Sequence, residues 1–147
     1  MIRTRAFHVK HYLNMDFGEF PFKNWASSLT EEQLYQVAEQ DYFLTLETTE
    51  GAPIMVIGAV PLSINVSEVF ILPGKGWTHY TIEVCRILKG HLKNLTIFNH
   101  RIQALCRGDD EKYAKFLEMF GFELEGTLRR YNAAGDDYHM YAIISEG

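Results

Sequence analysis

Ser67-Glu68-Val69-Phe70-Ile71-Leu72-Pro73-Gly74-Lys75-Gly76-Trp77-Thr78 is the stretch on which the fold turns. Its first half closes on four consecutive apolar side chains, Val69 to Leu72, the mark of a buried strand. Pro73-Gly74-Lys75-Gly76 stops that strand, because proline withholds an amide and glycine loosens extended structure. Beyond it Ile82, Cys85, Leu88 and Leu92 recur at three- and four-residue steps, which predicts a helix over 78–93. Residues 102–107 are apolar again and predict another strand. Strand, short loop, helix and strand in this order predict a parallel pair joined by a right-handed crossover. A strand end and a helix N-terminus would then face one crevice.

Working outward, residues 42–48 and 54–60 are β-rich runs separated by Glu50-Gly51-Ala52-Pro53, which predicts an antiparallel hairpin. Residues 4–9 predict a short first strand. Thr30-Glu31-Glu32-Gln33 has the form of a capping box and predicts a helix running to about Gln40. On the far side Asp109 is placed to cap a helix. Tyr113, Phe116, Leu117 and Phe120 form its apolar stripe, and Gly121 stands where a C′ glycine belongs. Residues 122–131 and 137–144 pair across Asn132-Ala133-Ala134-Gly135-Asp136. Helices interspersed with strands of a mixed sheet make this an α/β (α+β) fold, expected as a single domain over 1–147.

The chain of 147 residues is long enough for a full core, and 47% hydrophobic content argues against disorder. A formal net charge of −5 argues against sequence-independent nucleic-acid binding, which needs a basic face. Cys85 and Cys106 lie in apolar segments without ligand spacing and are expected as reduced core thiols. His8, His11, His79, His91, His100 and His139 show no ligand pattern, so no metal is expected. No run could serve as a signal peptide or membrane span. A soluble protein of the cytoplasm is the expectation.

Phe116-Leu117-Glu118-Met119-Phe120-Gly121-Phe122, continued by Glu125-Gly126 and Arg129, resembles the end of the GNAT acetyltransferase domain. The likeness is to ribosomal-protein N-terminal acetyltransferases, whose helix ends in Gly-Phe followed by Glu-Gly and Arg. Gly135, Asp137 and Tyr141 resemble that family's final hairpin. Arg101 to Arg107, with Gly121-Phe122, Arg129, Tyr131, Asp137 and Tyr141, is also similar to GNAT-like proteins of tailed bacteriophages. The resemblance implies a GNAT fold, with a mixed sheet of six to seven strands flanked by about four helices. It implies acetyl-CoA as cofactor and transfer of an acetyl group to an amine on a small molecule or protein. The phage likeness implies another role, a catalytically inactive GNAT-fold protein in virion or head assembly or host interaction. Host cytoplasm or the virion would be its location, with a homodimer or a phage or host protein as partner.

By the same resemblance, Phe70, Ile71 and Leu72 line the pantetheine arm, and Gly74, Lys75, Gly76, Trp77 and Thr78 cradle the pyrophosphate. Lys75 is a cation for a phosphate, and Asp110 falls where relatives contact the cofactor. The sequence departs from the family loop: counted without gaps, Gly76, His79 and Thr81 take the places of Arg or Gln and two small residues. A plain turn is the other reading of 73–76. Leu117 stands at the position of the family's acidic tyrosine, and Tyr113, one helical turn earlier, is the substitute acid or simply core. Glu68 and Glu83 are candidate bases or solvated carboxylates. Asp110 is also a helix cap. Phe17, Glu19, Phe20 and Trp25 form either an acceptor groove or an apolar plug.

Overall fold

β1 (Ile2–Ala6), β2 (Phe43–Thr48), β3 (Pro53–Ser63), β4 (Val66–Pro73), β5 (Arg101–Arg107), β6 (Glu123–Leu128) and β7 (Tyr138–Ile144) form one mixed sheet. Its strand order is β1-β2-β3-β4-β5-β7-β6. A 3-10 helix (Lys75–Tyr80), α1 (Thr81–Phe98) and α2 (Glu111–Met119) complete the elements of this computed structural model, which describes residues 1–8, 11 and 43–145. The helix expected from Thr30 and the aromatic segment from Phe17 to Trp25 lie outside the described residues. No described helix is long and apolar enough to cross a membrane. The chain packs as two compact units, Met1–Ala59 with Phe70–Leu88 and Val60–Val69 with Lys89–Gly147.

In the first unit β1, β2 and β3 are antiparallel neighbours. The first strand runs Ile2–Ala6 rather than 4–9, in a register that sets Arg3 opposite Glu47 and Arg5 opposite Thr45. Phe43 faces Gly58 across the ladder, stacks on Phe70 at 6.2 Å and packs against Phe7 at 5.8 Å. Gly58 is needed there because a Cβ would overlap the Phe43 ring. Glu47 is fully buried; Arg3 Nε donates to it at 2.7 Å and Arg5 reaches it at 3.5 Å. Burial pushes the Glu47 carboxyl up, but the Arg3 hydrogen bond and the charges of Arg3 and Arg5 outweigh it. The carboxyl therefore sits below its usual range.

The predicted helix after β4 starts later than expected. Residues 75–80 wind more tightly, and the α-helix opens at Thr81, whose hydroxyl donates to the Thr78 carbonyl at 2.9 Å. The period marked a helix, but the buried line is Val84, Leu88 and Leu92, while Ile82 is 83% exposed. A helix needs one buried face, and the four-residue line through Val84 provides it.

In the second unit β5 lies parallel to β4, with Val66 opposite Arg101, Ser67 opposite Ile102 and Glu68 opposite Gln103. These three pairs are the whole register of β4 with β5 among the described residues. β5 pairs antiparallel with β7 along its full length, and β7 with β6. Ile102, Ala104 and Cys106 alternate inward from β5. α2 buries Tyr113, Phe116 and Leu117. Gly121, at φ 96°, ends the helical region as expected, and the Phe122 amide bonds the Leu117 carbonyl at 3.1 Å. The cap is Asp110, which accepts from the Tyr113 amide at 3.0 Å; Asp109 instead pairs with Arg107 at 2.8 Å. Only Asp110 stands three residues before that unsatisfied amide, so the cap expected of Asp109 moves by one.

Two outcomes follow from the first unit's core. Gly58→Ala lowers stability by roughly 1–3 kcal/mol through overpacking, and adding Phe43→Leu recovers part of it; an unchanged urea midpoint would contradict this packing. Glu47's contribution is complete above its unfolded-state value and is lost as pH falls through its lowered folded value. Glu47→Gln should therefore flatten the acid side of the stability–pH curve, and an unaltered acid slope would show that the ion pair contributes nothing.

Candidate functional site

Within the first unit, Ile71, Leu72, Pro73 and Gly74 at the end of β4 are buried, and Phe70 is half-buried against Phe43. Gly74 is extended (φ −81°, ψ 166°), and its amide donates to the Ile54 carbonyl at 2.8 Å. Its own carbonyl accepts from the Trp77 amide at 3.3 Å, which starts the 3-10 turn. No side chain caps that turn. The leading amides of a helical segment lack intrahelical acceptors, and its dipole favours an anion there. Lys75 and Thr78 are exposed and Gly76 and Trp77 half-buried.

These residues fit a diphosphate by one route and not another. Amides at the start of the helical segment and the exposed Lys75 ammonium are suitable donors. A glycine nest is not present: the left-handed glycines among the described residues are Gly51, Gly121 and Gly135. Gly74 is at φ −81° and Gly76 is not among the left-handed residues, so neither builds a nest. A Cβ at Gly76 would meet only the Ile54 Cγ2 at 3.7 Å, an ordinary contact. Glu83, a candidate base, accepts from the Ile2 amide at 2.9 Å and ties β1 to the first turn of α1.

In the second unit Glu68 is held from one side. Gln103 Nε2 donates to Glu68 at 3.2 Å, and Arg101 Nε donates to Gln103 at 3.0 Å. Both terminal guanidinium nitrogens of Arg101 donate to Glu125, whose carboxyl the hydrogen bond holds below its usual range. Sequence reading missed Gln103, Arg101 and Glu125 as a relay. The available signal was the period-two alternation in β5, where 101 and 103 are the polar positions between Ile102 and Ala104.

Tyr113 is buried and its ring stacks on Phe116 at 5.9 Å. Leu117 is wholly buried. Burial raises the Asp110 carboxyl against the lowering effect of the Tyr113 amide. Cys106 is buried with its Sγ 3.5 Å from the Asp110 carbonyl, its thiol pushed up to about 12 chiefly by desolvation and then by Asp110. Phe17, Glu19, Phe20 and Trp25 lie outside the described residues. His11 Nδ1 is 3.1 Å from the His8 amide and 2.7 Å from the Thr45 hydroxyl. Among the described residues no three His, Cys, Asp or Glu side chains gather as metal ligands.

No protein-family model matches the sequence, and no curated protein matches it. Solved structures do. Ard1 from Thermoplasma volcanium superposes with a TM-score of 0.72 at 14% identity, covering 99% of each chain. A GNAT-family acetyltransferase from Bacillus anthracis gives 0.71 at 16% identity, over 99% of this chain and 96% of that one. The ribosomal-protein-S18-alanine N-acetyltransferase from Escherichia coli gives 0.65 at 17% identity, over 100% and 96%. At such identities the likeness is one of fold, and the chain has the GNAT fold.

Proposed function

We propose that this chain is an acetyl-CoA-dependent N-acetyltransferase acting on an amine of a small molecule or protein. The observation that carries the reading is the passage from buried strand β4, through Gly74, into an uncapped helical segment beside an exposed lysine. That arrangement offers amide donors and a cation to a diphosphate. Bound acetyl-CoA would supply an activated thioester carbonyl. Phe70, Ile71 and Leu72 would orient the pantetheine arm; Gly74, Lys75, Gly76, Trp77 and Thr78 would hold the diphosphate.

Positioning carries most of the catalysis in this proposal. Glu68, fixed by Gln103, would take the proton of the incoming amine. Tyr113 would return a proton to the leaving sulfur, since the aliphatic Leu117 has none to give. Phe17, Glu19, Phe20 and Trp25 are proposed to receive the acceptor.

Buried Leu117 at the acid position and the lack of left-handed backbone at Gly74 and Gly76 favour a second reading. In it the fold persists without catalysis, in a phage protein for virion assembly or host interaction. Calorimetric titration with acetyl-CoA separates the two. The enzyme reading expects a Kd in the micromolar range, roughly −8 kcal/mol at 1 μM; no detectable heat at millimolar acetyl-CoA supports the second. Gly76→Asp sets a carboxylate beside the diphosphate without crowding Ile54 and should abolish binding, and retained affinity would place the diphosphate elsewhere.

A further inference from the structure

The β6–β7 hairpin is built more rigidly than a connecting turn requires. Asn132 Nδ2 donates to Asp136 at 2.8 Å while the Asp136 amide donates back to Asn132 Oδ1 at 2.8 Å. The Tyr131 amide bonds the Asp136 carbonyl at 2.8 Å, and the Gly108 amide ties the Asp137 carbonyl to the end of β5 at 2.8 Å. Arg130 adopts φ 51°, a left-handed backbone that a β-carbon disfavours; its amide donates to Asp137 Oδ1 at 2.9 Å and holds it there. Such conformations persist where surrounding bonds over-determine them, often at ligand sites.

The same bonds use up the nearby carboxylates. Asp136 is engaged by Asn132 and lies 3.8 Å from Arg107, and Asp109 faces Arg107 at 2.8 Å. Asp137 gives one oxygen to the Arg130 amide. Arg129 and Arg130, adjacent and exposed, consequently have no ion-pair partner among the described residues. Both line an open groove of about 720 Å³ with Thr127, Leu128 and Asp137.

The geometry points to an anion-binding site in this groove, for the phosphate or carboxylate of a small ligand. Each guanidinium presents a planar fork matched to two oxygens, and the Thr127 hydroxyl is a further donor. Asp137, whose Oδ1 already accepts from the Arg130 amide, also lines the groove and tempers the attraction, so affinity for a bare ion falls in the millimolar range. The site lies wholly within the second unit and stands independently of the acetyl-transfer reading.

Amide-resolved NMR titration of the full chain with inorganic phosphate, acetate and chloride at matched ionic strength tests it. Saturable shifts at Thr127, Arg129 and Arg130 are expected with phosphate or acetate and not with chloride; which oxyanion saturates names the ligand class. Arg129→Gln with Arg130→Asn should weaken the response by about tenfold or more, the scale of one lost charge-assisted pair. Asparagine tolerates the left-handed backbone, and unshifted Gly108 and Tyr141 signals would verify the fold. Linear shifts shared with chloride, or full affinity in the double variant, would overturn the proposal.

Discussion

The join between β4 and β5 is the constraint on which the second unit depends. Three parallel residue pairs make it, and polar side chains fasten it. The Arg101 amide bonds the Asn65 carbonyl at 3.3 Å, and the Ser67 hydroxyl donates to Asn99 at 2.9 Å. Asn99 in turn donates to the Leu95 carbonyl at 2.9 Å, which locks the end of α1 to the start of the ladder. Parallel strands need a long return connection, and α1 is that connection. The ladder places Glu68 opposite Gln103, and Arg101 links Gln103 onward to Glu125 through side-chain hydrogen bonds.

Buried polar groups are few in the described residues, and most have a visible partner. Glu47 has Arg3 and Arg5, and Ser67 has Asn99. An ionised carboxylate in a core is tolerable only when paired, so the exposed edge strand β1 must carry cations at alternate positions. Arg3 and Arg5 do so, and their charge also discourages unwanted pairing along that edge. A local rule of strand alternation thereby serves a long-range electrostatic need.

Much of this was legible in the sequence because the signals were local. The 42–60 hairpin, the β5 strand, the α2 stripe and Gly121 each depend on residues a few positions apart, and the GNAT fold was readable from the spaced set around Gly121-Phe122. Three features were not legible, each for a physical reason. The 3-10 turn at Lys75–Tyr80 uses the same residue types as a loop or first helical turn. Asp109 and Asp110 both suit a cap, and only backbone geometry chooses. Glu47 meets Arg3 across 44 residues, and Glu68 meets Gln103 across 35, distances that no periodicity encodes. The site residues suffer most from this, since catalytic roles rest on such long-range meetings.

Strand β4 ends against the start of a helical segment, and it is there that we propose an anionic nucleotide binds. Hydrogen exchange across residues 70–81, followed with and without acetyl-CoA, reads this most directly. Ligand contact at the leading amides should slow exchange from Lys75 to Thr81 while β6 stays unchanged. Unaltered exchange across 70–81 at saturating acetyl-CoA, or slowing confined to the 129–137 hairpin, would contradict it.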